Sequence, residues 1–457
     1  MRHQRENDTI AAISTALGES GIGIIRISGT DAVDIASRVL DRGVRKAETH
    51  TIHYRHAVCK NEIIDEVLVS VMLAPRSYTG ENTVEINCHG GVLAVERVLE
   101  EVLKAGASLA EPGEFSKRAF LNGRIDLSQA EAVMDIIQAK NRFALKAAVS
   151  QLSGTLSKKL KELRNQLLDE TAWIEAALDD PEHYDLSGYP EELEKKTDAM
   201  IADLETLIRN AENGRVMKEG ISTVILGRPN AGKSSLMNLL SGADRAIVTD
   251  IAGTTRDILT EHIRLAGLSL NLTDTAGIRE SEDIVERIGV ERARKAAEEA
   301  DLLLLVIDGS SELQEEDRLL LHEIEEKNAI VLLNKSDLDT QISLEELQKL
   351  SSHPVILFSA KDGTGLSEME TTMREMFYHG NINFNDQIYI TNSRHREALE
   401  QALASVRLVK QSIKNGLPED FFSIDLQDAY ESLGIITGET VEDDVVNRIF
   451  EKFCTGK

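Results

Sequence analysis

Cysteine is scarce in this chain. Cys59, Cys88 and Cys454 are the only three in 457 residues, too few and too scattered for a disulfide framework or a zinc cluster, so a reducing cytoplasm is the expected setting. Long apolar runs are missing as well. The strongest, Leu302 to Ile307, falls far short of the roughly 20 residues that a bilayer-spanning helix needs, and no membrane association is expected. The opening Met1-Arg2-His3-Gln4-Arg5-Glu6 has no apolar stretch of the secretion-signal kind. Aromatics make up only 4%, so the cores must be largely aliphatic. Positive charge is outnumbered: 51 Lys and Arg face 78 Asp and Glu, a formal net charge of −27. That balance argues against wrapping a long nucleic-acid backbone, because phosphate contacts need clustered Lys and Arg. A small nucleic-acid element, or one held mainly by a partner protein, stays compatible with it. There is no short internal repeat and no low-complexity tract. What is present, 42% hydrophobic and 28% charged, is an ordinary globular balance, and the length suggests about two to four domains.

The pattern along the chain predicts an α/β and α multidomain protein. Residues 1–121 look mixed α/β. Ile22 to Gly29, Val67 to Leu73 and Thr83 to Asn87 read as strands, and Val92 to Leu103 as a helix. Residues 122–220 turn helical. Ser128-Gln129-Ala130-Glu131 fits a capping box ahead of an apolar periodic run, Val133, Ile137, Leu145, Val149 and Leu152. Leu160, Leu163, Leu167, Ile174 and Leu178 continue the helical spacing. Asp179-Asp180-Pro181 should break the helix, and a third helix is expected from about Glu191 to Glu212. Residues 221–378 alternate strands with helices, which predicts a mostly parallel sheet. Thr223 to Leu226, Leu302 to Ile307, Ile330 to Leu333 and Val355 to Phe358 are near-continuous apolar runs, as strands covered on both faces should be. Residues 379–457 return to helix. The simplest organisation is a central helical domain, 122–220 and 379–457, into which the α/β unit 221–378 is inserted.

Gly227-Arg228-Pro229-Asn230-Ala231-Gly232-Lys233-Ser234 matches the phosphate-binding pattern GxxxxGK[ST], between a predicted strand and a predicted helix. The glycines let backbone amides turn toward phosphates, and the helix N-terminus adds its positive end. Asn230, Ala231, Gly232, Lys233, Ser234 and Ser235 are the expected phosphate-side contacts. Lys233 should reach the β- and γ-phosphates, and the Ser234 hydroxyl should hold Mg²⁺. Asp274-Thr275-Ala276-Gly277 follows the strand Leu268 to Thr273. There Asp274 suits a water-mediated Mg²⁺ contact and the Gly277 amide suits the γ-phosphate. Thr255, in Gly253-Thr254-Thr255-Arg256-Asp257, is the candidate second Mg²⁺ ligand. Asn334-Lys335-Ser336-Asp337 supplies a carboxylate, Asp337, that can accept both the N1–H and the 2-amino group of guanine. Adenine offers no such pair, so GTP is favoured over ATP. Asn334 can read the Hoogsteen edge of the base, and Ser359-Ala360-Lys361 offers a backbone amide to guanine O6. Where many signalling GTPases carry a water-orienting glutamine, this chain has Ile278. The water must be positioned otherwise, with Arg279, Glu280, Glu282, Asp283 and Glu286 as candidates.

The motifs at 227–235, 249–257 and 274–279 closely resemble the MnmE (TrmE) family of tRNA-modification GTPases. So do Gly23 to Gly29, Tyr78-Thr79-Gly80-Glu81, Cys88-His89-Gly90-Gly91, Pro112-Gly113-Glu114-Phe115-Ser116 and the terminal Phe453-Cys454-Thr455-Gly456-Lys457. The resemblance covers essentially the whole chain. It implies a homodimer joined through the N-terminal α/β domain, with a GTPase domain inserted in a helical one. It implies a partner, the FAD- and NADH-using MnmG (GidA), in a heterotetramer or larger complex. The implied reaction places an aminomethyl or carboxymethylaminomethyl group on C5 of the wobble uridine of certain tRNAs, with a tetrahydrofolate derivative (5-formyl or 5,10-methylene) as one-carbon donor. GTP hydrolysis would open and close the paired GTPase domains. Asn230 resembles the family's K⁺ ligand, and the loop containing Thr249, Ile251 and Thr254 resembles the one that encloses that ion. Glu286 resembles the family's water-orienting glutamate. The folate site would use Arg26, Glu85 and Arg124, with Lys457 nearby. Two residues stay open. Cys454 suits either a lowered-pKa nucleophile toward uracil C6 or a buried apolar role, and His89 either loop packing or a general base.

Two other readings compete. A ribosome-assembly GTPase would share the Gly-x-Pro-Asn-x-Gly-Lys-Ser loop, but usually adds an RNA-binding module or a second GTPase domain. A folate-dependent transferase with a regulatory GTPase insert would bind folate without depending on the FAD partner.

Overall fold

The computed structural model describes residues 8–60, 62–139, 141–180, 182–183, 187–243, 260–265, 268–273, 296–298, 300–378, 388–441, 443–453 and 456. In chain order the elements begin β1 (Ile10–Ile13), β2 (Ser20–Ser28), α1 (Ala32–Arg38), β3 (Thr51–Cys59), β4 (Glu62–Met72), β5 (Thr83–Gly90), α2 (Val92–Lys104) and β6 (Ser108–Leu109). There follow α3 (Glu114–Leu121), α4 (Leu127–Gln138), α5 (Arg142–Leu152), α6 (Thr155–Asp179), α7 (Tyr189–Glu219), β7 (Ile221–Leu226), α8 (Lys233–Ala243), β8 (Thr260–Leu265), β9 (Leu268–Thr273) and β10 (Leu302–Asp308). The rest are α9 (Glu315–Glu323), β11 (Ala329–Asn334), α10 (Leu344–Leu350), β12 (Val355–Leu357), α11 (Leu366–Tyr378), α12 (Ser393–Lys414), α13 (Asp420–Thr437) and α14 (Asp443–Phe450). They form two compact units. One comprises Met1–Gln138, Ala148–Leu204 and Glu397–Lys457, the other Ala139–Ala147 and Glu205–Arg396.

The first unit holds a sheet in the order β3-β4-β5-β2-β1-β6, antiparallel except for the β1–β6 pair. Successive side chains on a strand face opposite ways. Ile25, Ile27, Val67, Val69, Val71, Val84, Ile86 and Cys88 therefore make one buried layer, packed with Ile35 and Ala36 of α1 and Val95, Val98 and Val102 of α2. The alternate positions carry Arg26 opposite Glu85, and Tyr54 opposite Leu68. The strands and helix read from the apolar pattern are present. The sequence reading missed β1, β3 and β6, which are short or half-exposed and lack a strong periodic signal.

The same unit contains a helical layer. α6 buries Leu156, Leu160, Leu163, Leu167 and Ile174, and α13, which packs on it, buries Phe422, Leu426, Ala429 and Leu433. α6 stops at Asp179, ahead of Pro181, as the restriction on residues before a proline requires. Three expectations need correction. The helix start before α4 is capped by Asp126 and Gln129, not Ser128 and Glu131. Asp126 Oδ1 accepts from Gln129 N at 2.9 Å, and Gln129 Oε1 accepts from Asp126 N at 3.0 Å. The reciprocal bonds are those of a capping box two residues earlier, where the carboxylate outcompetes the hydroxyl. Ile137, Leu145, Val149 and Leu178 are exposed although they keep helical spacing. The third helix runs to Glu219, past Gly214, because that glycine answers a packing need. A Cβ there would lie 2.1 Å from the Ile390 carbonyl oxygen.

The second unit holds a sheet in the order β12-β11-β10-β7-β9-β8. All pairs are parallel except the β8–β9 hairpin, whose first strand lay outside the sequence reading. Leu302, Leu304 and Val306 face one core and Leu303, Leu305 and Ile307 the other, which explains why β10 is apolar at every position. β7 sits between β10 and β9, so the chain leaves it at a topological switch point, where open α/β sheets form their ligand crevices.

Candidate functional site

The loop from β7 to α8 carries the phosphate-binding motif. Asn230 takes a left-handed backbone conformation, φ 65°, and Lys233 to Ala243 form the helix that follows. The Lys233 ammonium donates to the carbonyls of Gly227 and Arg228, both at 2.7 Å. Ser234 and Ser235 are exposed on the first turn, while Ala231 is buried. The arrangement gathers positive charge and a helix N-terminus on one side of a turn, the chemistry a polyphosphate requires.

Three loops from three strand ends meet at Asn334. Its carboxamide nitrogen donates to Ala231 O at 2.8 Å, and its oxygen accepts from Ala360 N at 2.9 Å. Asn334 is 2% exposed. A carboxamide nitrogen carries two hydrogens, so this brace is compatible with the expected contact to the base edge. Both ends of the amide are engaged by backbone, so it fastens the phosphate loop, its own loop and the β12 loop together. Asp337 is oriented for a partner. Its Oδ1 accepts from the fully buried Ser359 hydroxyl at 3.1 Å, and its Oδ2 lies 3.4 Å from Lys361 Nζ. Lys335 also has a left-handed backbone, φ 65°, and its ammonium lies 2.6 Å from Asp308 Oδ2. Burial pushes the Asp308 carboxyl up, but the Lys335 ammonium and the Ser310 hydrogen bonds outweigh it and hold the group below its ordinary value.

Thr249, Ile251, Thr254, Thr255, Asp274, Thr275, Ala276, Gly277 and Glu286 lie outside the described residues, as do Ile278, Arg279, Glu280, Glu282 and Asp283. Cys454 and Lys457 do too. The sequence reading gave no role to Asp308 or Asp317, acidic residues that contact the base and phosphate loops. Asp308 ends β10 and Asp317 lies in the first turn of α9, and no short motif marks them.

A second polar cluster forms in the other unit, around Arg26. Its Nε donates to Glu85 Oε1 at 2.8 Å, and an Nη donates to Gly456 O at 3.3 Å. Ser14 Oγ donates to the same carbonyl at 3.0 Å. The guanidinium carbon lies 5.5 Å from the ring centroids of both Tyr78 and Phe115, within cation–π range. Burial raises the Tyr78 phenol above its ordinary value, while its Ser116 hydrogen bond and the charges of Arg26 and the exposed Arg124 act the other way. The terminal segment reaches this cluster because Phe450 and Phe453 pack into the core of α3 and α4. Gly456, φ 90°, then passes so close to β1 that a Cβ would lie 2.2 Å from Ile13 O. Sequence placed Arg26 and Glu85 together but missed the aromatic pair beneath them. His89, on β5, bonds Asp65 through Nδ1 at 2.6 Å, and this bond raises the imidazole above its ordinary value.

A phosphate loop at the switch point of a parallel sheet, braced by Asn334 to an Asn-Lys-x-Asp loop whose carboxylate is held by Ser359 and Lys361, defines a P-loop GTPase. The MnmE helical domain model matches residues 127–454, and the model of the GTP-binding protein TrmE N-terminus matches residues 9–124. The tRNA modification GTPase MnmE of Lachnoclostridium phytofermentans is 55% identical over 457 residues, 99% of this chain and 100% of the relative. The proteins of the same name from Listeria welshimeri and Bacillus subtilis are 47% and 46% identical, over 99% and 98% of this chain and the full length of each relative. The chain belongs to the MnmE family of tRNA modification GTPases.

Proposed function

We propose that this chain hydrolyses GTP in a K⁺-stimulated cycle. With the FAD-dependent partner MnmG, it installs an aminomethyl or carboxymethylaminomethyl group at C5 of the wobble uridine of certain tRNAs. The observation that carries the reading is the Arg26 cluster in a chain of this family. A guanidinium laid over two aromatic rings, beside a carboxylate and the terminal segment, offers the flat donor–acceptor edge that a pterin ring needs. Arg26, Glu85, Arg124 and Lys457 would hold the tetrahydrofolate derivative, which supplies the one-carbon unit when bound. Exposed Ile52, Tyr54 and Leu68 on the N-terminal sheet support pairing of two copies there. The place of work is the cytoplasm, and among the described residues no helix is long and apolar enough to cross a membrane.

In the nucleotide site, the amides from Asn230 to Ser235 and the Lys233 ammonium would receive the phosphates. Ser234 and Thr255 would hold Mg²⁺, with Asp274 to Gly277 at the γ-phosphate. Asn230, Thr249, Ile251 and Thr254 would enclose K⁺, and Glu286 would orient the attacking water. Asp337 would accept from guanine, Lys335 would flank the base, and Ser359, Ala360 and Lys361 would close its O6 side. Positive charge fixed in advance around the phosphates is the main lever such a site has on the transition state.

The deciding experiment is mass spectrometry of wobble nucleosides in bulk tRNA from cells lacking the protein. Loss of the 5-aminomethyl-type uridines, restored by the wild-type gene, is expected. Unchanged nucleosides would favour the ribosome-assembly reading. Hydrolysis should also run roughly a hundredfold faster in K⁺ than in Na⁺, the scale of removing one charge-stabilising group. Equal rates in the two salts would remove K⁺ from the site.

A further inference from the structure

We propose that the buried Asp317 is a positioning residue for GTP hydrolysis, acting through Arg228 to fix the shape of the phosphate loop. This rests on residues 227–234 being the phosphate site. Asp317, in the first turn of α9, is 0% exposed. One of its tasks is local: its Oδ2 accepts from Gln314 N at 3.1 Å and completes the capping box of that helix. A cap alone needs no cation. Yet Asp317 also receives Arg228 Nε at 2.8 Å, and an Arg228 Nη donates to Ser311 Oγ at 3.3 Å. A buried carboxylate is costly unless paired, and removing one partner of such a pair strands the other charge. The sequence thus commits an ion pair, its carboxylate fully buried and its guanidinium part-buried, to a link between the second residue of the phosphate loop and a helix remote from it in sequence.

What the link holds in place is backbone. The carbonyl of Arg228 accepts both the Lys233 ammonium, at 2.7 Å, and the Ala231 amide, at 3.3 Å. Arg228 is therefore the residue on which the turn closes and from which the Lys233 amine is aimed. With its guanidinium gripped by Asp317 and Ser311, the peptide has one orientation. Released, it loses that constraint where a phosphate group must meet several amides at once. A misplacement of about 1 Å in such a site can cost a hundredfold in rate.

The test uses the full-length chain with GTP, comparing wild type, Asp317→Asn, Arg228→Lys and the double variant Arg228→Gln/Asp317→Asn. The asparagine keeps an oxygen for Gln314 N but releases the arginine. Expected is a fall in kcat/KM for GTP of about tenfold or more, with weaker binding of both GTP and GDP. The preference for guanine over adenine nucleotides should persist, because the base is read from other loops. Arg228→Lys keeps a charge but not the two-pronged grip and should fall between. The double variant removes both charges of the pair together, so it should fold even where a single variant does not, and its kcat/KM should still be low. A purely structural role would lower the melting temperature alone. Variants that stay folded with kcat/KM within about twofold of wild type would overturn the proposal while leaving the phosphate site standing. A wild type that binds no GTP would remove the phosphate-site reading and this proposal with it.

Discussion

The two polar centres of this chain are assembled in opposite ways. The nucleotide centre is written in short contiguous stretches, each at the end of a parallel strand, so chain neighbours are also site neighbours. The Arg26 cluster draws on β2, β5, the aromatic residues Tyr78 and Phe115, and a carbonyl separated from Arg26 by 430 positions. A parallel sheet delivers loops to one edge whatever their content, which lets a motif be both local and complete. The antiparallel sheet of the N-terminal unit instead makes its site on a face, from cross-strand partners. Its last member arrives only because the chain end is anchored by Phe450 and Phe453.

That contrast can be broken by experiment. The largest effect is expected at the local centre. Lys233→Ala should reduce GTP turnover by roughly a hundredfold to a thousandfold, the scale of removing one charge-stabilising group from a transition state, as read by phosphate release. Turnover near wild type would move the phosphate site elsewhere. A smaller effect is expected at the composite centre. Gly456→Ala must leave its left-handed conformation or clash with Ile13 O, a strain of about 1–3 kcal/mol. It should free the terminal segment, lower the affinity for a tetrahydrofolate derivative, and speed amide exchange around Phe450 and Phe453. Wild-type folate affinity in this variant would separate the tail from the cluster. The smallest effect is expected at the rim, at His89. Its folded-state value is raised by Asp65, so the contribution of this pair is fully present below the unfolded histidine value of about 6.5. It fades as pH rises through the raised folded value. Asp65→Asn should bring the His89 titration, followed by NMR, back down; an unmoved titration would assign the shift to another group.

Much of the fold was legible. The apolar runs of β7, β10, β11 and β12 announce strands buried on both faces, and the spacing of Leu160, Leu163 and Leu167 announces one face of α6. The phosphate-loop and Asn-Lys-x-Asp motifs were legible, each at the end of a strand. What escaped has physical causes. The capping box moved by two residues because the Asp126 carboxylate accepts both the Gln129 amide and the Ser128 hydroxyl, which is thereby tied up. The third helix outruns its expected end at Glu212 and passes Gly214, which is a packing contact. Asn334 is also a brace between loops, which only the meeting of three strand ends reveals.

The sequence by itself determined the kinds of element, the mostly parallel sheet of residues 221–378, and the motifs carried at its strand ends, because periodicity and turn chemistry act over a few residues. The tertiary structure alone decided which distant groups would meet: the Asp317 carboxylate under the phosphate loop, Asp308 at Lys335, and the Gly456 carbonyl at Arg26. Such pairs follow from strand order, register and the docking of the chain end. Those are set by the packing of whole layers, and no local stretch of sequence contains them.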